Sequence, residues 1–150
     1  MSDNSGRSST VRILAIIVIV AGVVFIGAGI GSWAAVTAQL SAENITVAED
    51  AGRFAGQPVD GPLTAYEQAN VINKHALNAT GGKTYAELDQ DDPTRQVAMT
   101  ASFLRASLFT SVLAYGVAAM SGGLGIVLIL IGTALLNLVK PPGGKGEVAV

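Results

Sequence analysis

Residues 13–36 read ILAIIVIVAGVVFIGAGIGSWAAV, 24 positions without an ionisable side chain, and the solvent this run occupies decides the fold. At about 1.5 Å per residue, a helix of that length covers the roughly 30 Å hydrocarbon core of a bilayer with a little to spare. The remainder of the chain agrees. Its 150 residues are 50% hydrophobic and 13% charged, with a mean hydropathy of +0.50, whereas about a quarter of an ordinary soluble domain is charged. A secretory signal is the competing reading, with Val36-Thr37-Ala38 as its small-residue cleavage site. Such a signal has an apolar region of only about 7 to 15 residues, so an uncleaved transmembrane helix over 13–37 is expected.

A second uncharged run, 34 residues from Ala106 to Val139, lies between Arg105 and Lys140. As one helix it would be about 50 Å long, so it must tilt, kink or project from the membrane. Ser121-Gly122-Gly123, in its middle, is the expected kink. Short basic tails carrying Arg7 and Arg12 at one end and Lys140 and Lys145 at the other, against nine acids and five bases in residues 38–105, place both tails on the cytoplasmic side. The expected organisation is a cytoplasmic tail (1–12), a span (13–37), an extracytoplasmic loop with short helices (38–105), a second span (106–139) and a cytoplasmic tail (140–150). This is an all-α membrane protein, an antiparallel hairpin of two transmembrane helices with a mostly helical extracytoplasmic loop, multi-pass in the cell membrane. Both tails read as flexible ends, and Lys140 before Pro141-Pro142 stops the second helix. Trp33, Phe103 and Phe109 sit where headgroup anchors belong.

Within lipid, helices associate through close approach over small residues. The spans offer Gly27-x-x-x-Gly31 and Ser121-x-x-x-Gly125. With Ile13 level with Val139, Gly27 falls opposite Gly125 and Gly31 opposite Ser121, the expected helix–helix contact. A second ridge at Ala114, Ala118 and Gly122 is the expected face for a partner helix.

In the loop, Asn44 to Ala48 has the composition of a short strand, and the following Gly- and Pro-rich segment reads as extended. Thr64-Ala65-Tyr66-Glu67 has capping-box spacing and opens a helix over about 64–78 that ends at Gly81-Gly82. Thr84-Tyr85-Ala86-Glu87 repeats that spacing. Asp92-Pro93 restarts the chain, and the stripe Val97, Ala101, Leu104 and Leu108 predicts one helix from about 93 to 139.

The chemistry available to this chain is narrow. Neither span holds Asp, Glu, Lys, Arg or His, which ion paths, proton relays and haem ligation require. One histidine, His75, and no cysteine leave no multi-His zinc set and no thiolate chemistry. The acids Asp89, Asp91 and Asp92 lack the glycine and distal glutamate of a calcium loop and read as caps and solvated charge, with weak divalent-cation binding as the alternative. Asn44-Ile45-Thr46 and Asn78-Ala79-Thr80 match a frequent glycosylation pattern. Gly82-Lys83-Thr84 resembles the end of a phosphate-binding loop, but the required first glycine is Leu77 here, and a predicted helix rather than a strand precedes it. No nucleotide, nucleic acid, metal or cofactor is therefore expected, and no catalytic residue. Lys83 reads as a turn residue or docking contact, in company with His75 and Tyr85.

The run INKHALNATGGKTYAELDQDDPTR (72–95), followed by ASFLRASLFTSV (101–112) and the second span, resembles a family of small two-span membrane proteins of actinobacteria. Some members carry a ring-opening dioxygenase small-subunit label, but a single histidine cannot form the two-His, one-carboxylate iron triad of such an enzyme. The resemblance implies an accessory subunit of the respiratory cytochrome bcc-aa3 supercomplex and assigns no functional residues. The expected function is a non-catalytic accessory or assembly subunit that contacts lipid and other integral membrane subunits. A free-standing envelope sensor whose exported loop binds a ligand or cation is the alternative.

Overall fold

The computed structural model describes residues 3–139. Three helices follow in chain order, α1 (Asp3–Ala42), α2 (Pro62–Ala79) and α3 (Arg95–Val139), with a single 3-10 turn at Tyr85–Glu87. No strand occurs among the described residues. The segment expected as a short strand forms only an isolated antiparallel bridge, Thr46 to Pro58. Helices α1 and α3 are both long and apolar enough to cross a membrane, with mean hydropathies of 3.0 and 2.3 in their most apolar stretches. Only 17% and 11% of those stretches are buried inside the protein, so the apolar side chains face outward, unlike those of a core helix in a water-soluble protein.

Two boundaries differ from expectation. Helix α1 begins at Asp3 rather than near residue 13, so the polar stretch read as a flexible end is helical. Helix α3 begins at Arg95, two residues later than Pro93. Asp92 explains the delay: its carboxylate accepts the Thr94 N–H at 2.7 Å and the Thr94 hydroxyl at 2.6 Å, closing a local turn before the helix starts. Ser121-Gly122-Gly123 lies inside the one long helix that was expected to run to residue 139. Lys140, Lys145 and Pro141-Pro142 lie outside the described residues.

The chain divides into two compact units, residues 1–30 with 119–150, and residues 31–118. In the first, α1 and α3 run antiparallel along a seam of small residues. A Cβ on Gly22 would lie 2.7 Å from the Gly125 carbonyl oxygen, one on Gly125 2.6 Å from that of Gly22, and one on Gly132 2.8 Å from that of Ala15. Only glycine permits that approach. Ser121 Oγ donates across the seam to the Phe25 carbonyl at 2.9 Å.

The expected glycine pairing is thereby corrected. Gly27 and Gly31 have open space where a Cβ would sit, and Gly125 meets Gly22, five residues earlier on α1. The reason is the period of the contact. Ala15 and Gly22, like Gly125 and Gly132, are seven apart, the spacing of a left-handed crossing, whereas the Gly-x-x-x-Gly spacing belongs to right-handed pairs. At 3.6 residues per turn, Gly27 is about 140° around the helix from Gly22, and Gly31 is about 180°.

The second unit has a core of Leu40 from α1, Val47 and Val59 from the connecting segment, Ala65 and Ala69 from α2, and Leu108 and Tyr115 from α3. Asn44, at φ 52°, ends α1 in the left-handed conformation that terminates helices, and its side chain donates to the Ala42 carbonyl. Val47 N–H and Val59 N–H then donate to the Gln57 and Ile45 carbonyls at 2.9 and 2.8 Å, which turns both valines into the core. Ala118, one of the residues expected on a partner-helix face, is only 3% exposed. Ala114, Ala118 and Gly122 therefore do not make a common free ridge.

Gly125→Val is expected to destabilise the helix pair by about 1–3 kcal/mol through overpacking, and Gly27→Val to leave its packing unchanged. Unfolding in a titrated mixture of mild and harsh detergents, followed by helicity, separates the two.

Candidate functional site

The second unit is organised around one phenol. Tyr115 is 1% exposed, and a buried tyrosine hydroxyl needs partners. It donates to the Asp60 carbonyl at 3.0 Å. With its proton so committed, the Thr37 hydroxyl, 2.8 Å away, must be the donor of the second bond. Trp33 closes over the ring edge-on, centroid to centroid 4.6 Å. Helix α1, the segment before α2, and α3 therefore meet at one side chain. The sequence signal for it was a lone tyrosine in a 34-residue uncharged run.

From that anchor α2 is set at both ends by backbone chemistry. It starts at Pro62, with Gly61 as N-cap, and Thr64, expected to be the cap itself, is instead the third helical residue. Its hydroxyl accepts from the Gly61 N–H at 3.3 Å and donates to the Gly61 carbonyl at 3.1 Å. Proline at the first position explains the earlier start, since its φ is already helical and its missing N–H needs no partner there. At the other end Gly81 and Gly82 adopt φ +63° and +87°, and the Gly82 N–H reaches the Leu77 carbonyl at 2.7 Å, the glycine stop of a Schellman motif. Glu87 then accepts the Thr84 N–H and hydroxyl, both at 2.8 Å. These two bonds, backbone first, hold its carboxyl below its ordinary value. The stretch around Lys83 is thus a corner between α2 and a 3-10 turn, and residues 71–77 lie inside α2.

The residues expected as docking contacts are divided between two depressions. His75 lines an open, largely apolar groove of about 500 Å³ between α2 and α3, together with Ile72, Val97 and Leu104. Its Nε2 is 2.8 Å from Asp50 Oδ2, and Lys74 Nζ is 3.3 Å from the same oxygen. The hydrogen bond from His75, then that from Lys74, lowers the Asp50 carboxyl below the ordinary value despite partial desolvation. Lys83 and Tyr85 line a separate pocket of about 50 Å³. A third and larger cavity, about 710 Å³, was not foreseen. Val36, Leu40, Ile72 and Leu108 supply its apolar side, and Glu43 and Gln68 its polar side.

Among the described residues no group of three or more His, Asp or Glu is placed to hold a metal ion. In the acidic cluster, Asp92 is engaged by Thr94, whose hydroxyl and then N–H lower its carboxyl. Of the expected headgroup anchors, Phe103 is 66% exposed, while Phe109 packs edge-on against Tyr66 at 5.8 Å. No protein-family model, curated protein or solved structure matches the chain.

Tyr115→Phe is expected to destabilise the second unit by about 1–3 kcal/mol, because it strands the Asp60 carbonyl and the Thr37 hydroxyl. Accelerated amide exchange at Val59 and Gly61 would report it. Since the Asp50 carboxyl is lowered on folding, its contribution is complete above the ordinary aspartate value of about 3.9 and is lost as pH falls through the lowered value. Proteolysis of residues 48–57 in acid should show that step, and Asp50→Asn should abolish it.

Proposed function

We propose that the protein is a two-span integral membrane hairpin with both termini cytoplasmic, acting as a non-catalytic accessory or assembly subunit of a larger membrane complex. The respiratory cytochrome bcc-aa3 oxidase supercomplex is the partner that the resemblance of residues 72–95 and 101–112 implies. Pairing Gly22 with Gly125 makes Ile13 roughly level with Thr133, and Trp33 lies against Tyr115. Residues 13–33 and 115–134 then cover about 30 Å of hydrocarbon, with Trp33 and Tyr115 as the outer aromatic pair. The excess length of the second apolar run follows: Leu108, Phe109 and Val112 pack against the loop core and belong to the exported cap rather than to lipid.

The observation that carries the subunit reading is the groove between α2 and α3. Val97 and Leu104 on its wall are 48% and 49% exposed, and the neighbouring Phe103 is more exposed still. On a cap that faces water, a contiguous apolar surface marks a protein contact. The cavity of about 710 Å³ favours a second reading, an envelope binding module, because its size and mixed lining suit a small amphiphilic ligand.

Solubilised in mild detergent, the protein should migrate within a large assembly whose other subunits mass spectrometry identifies, and Leu104→Asp should release it as a small species. A wild-type protein that is already small and monodisperse opposes the subunit reading, and a ligand retained by that species would support the second.

A further inference from the structure

The second unit holds five lysines and arginines, of which Arg53 lies over the ring of its neighbour Phe54, 5.4 Å from the centroid. Lys74 is paired with Asp50. Arg95 spends its guanidinium on the Tyr85 and Leu88 carbonyls and stacks 4.1 Å over the Tyr85 ring. Arg105 and Lys83 also form no salt bridge among the described residues, and of the five only these two line the same pocket of about 50 Å³. No carboxylate lines it, and its remaining polar wall comes from Asn73, Thr84, Tyr85 and Ser102. The Glu87 and Asp92 carboxylates feel the Lys83 charge but lie outside the lining.

The Nε of Arg105 is buried and has no hydrogen-bond partner. A buried, unpartnered donor on a charged group is uncommon and calls for a physical reason. Packing supplies only part of one, since the guanidinium rests 5.8 Å from the Phe109 ring centroid. The Ser102 and Thr84 hydroxyls already donate to the Ala98 carbonyl and the Glu87 carboxylate, so the two cations are what the pocket, with no carboxylate in its lining, offers a small oxyanion. The volume holds roughly three or four water-sized atoms, which suits a tetrahedral group with one oxygen left at the mouth.

We propose that the Lys83–Arg105 pocket binds the phosphate oxyanion of a phosphate ester. Arg105 supplies the planar donor fork from α3, and Lys83 supplies a point charge from the corner that follows α2. A water-borne ester and a lipid headgroup share this chemistry. Arg105 precedes Tyr115 by ten residues, or about 15 Å along a helix. On the bilayer placement proposed above, that is beyond the roughly 5–7 Å headgroup layer, and the water-borne ester is favoured. The pocket itself does not depend on that placement or on the identity of any partner subunit.

The test is titration calorimetry on the full chain in a phosphate-free maltoside detergent, with glycerol phosphate, inorganic phosphate and acetate as probes. Saturable binding of both phosphates, weaker for acetate, and at least about tenfold weaker in Arg105→Gln and in Lys83→Gln than in the control Arg53→Gln, is the expected result. Arg105→Lys should restore part of the loss, and equal helicity of all variants excludes misfolding. Lys83, on an exposed corner, carries the test where Arg105→Gln fails to fold. Competition by short-chain phosphatidylglycerol would support the site and assign it to a headgroup, while its failure to compete supports the water-borne ester. Absence of phosphate binding, acetate binding as tight as phosphate, or affinity unchanged in both variants would overturn the proposal.

Discussion

One hydroxyl proton constrains most of the second unit of this molecule. Because Tyr115 gives that proton to the Asp60 carbonyl, Thr37 can only approach as a donor, and three separate pieces of chain are fixed by a single atom. The acceptor is a main-chain oxygen immediately before Gly61 and Pro62, so the same bond that anchors α3 also sets where α2 begins. Val59, the neighbour of Asp60, is driven into the core beside Leu108 and Ala65. Removal of the phenol oxygen would therefore affect the entry of α2, the seat of the valines and the contact with α1 together.

The parts of this architecture that were legible in the sequence are those governed by local chemistry. The uncharged runs announced two helices of membrane-crossing length, since lipid solvation depends on composition alone. The Gly81-Gly82 stop was legible because two consecutive positive φ angles favour glycine, and Thr84 with Glu87 because that spacing brings a carboxylate back to a free N–H. What failed depended on a partner elsewhere in the chain. Gly27 and Gly31 have the spacing of a well-known pair, yet Gly22 is the residue used, since the choice among glycines rests on the crossing geometry of α1 against α3. Ala15, Gly22, Gly125 and Gly132 did carry a signal, at a period of seven rather than four.

The candidate site was less legible than the fold, for a related reason. His75, Lys83 and Tyr85 stand close together in sequence and look like one surface, but α2 ends between the first and the second, and they line different depressions. Arg105 was passed over as a charge at the head of a span. Its significance appears only when α2 and the corner after it fold back along α3 and put Lys83 on the same pocket. Thr64 was misassigned by two competing local signals, a capping spacing and a proline two residues ahead of it, and the proline prevailed.

The glycine seam has a consequence for how uniquely the two long helices can find each other. A contact that repeats every seven residues is nearly periodic along its axis, like the teeth of a rack, and sliding α1 past α3 by one repeat would still bring small residues face to face. Packing alone would leave several registers close in energy. Tyr115, which accepts from the Thr37 hydroxyl and gives its own proton to the Asp60 carbonyl, makes a contact of the opposite kind, with no repeat along either helix.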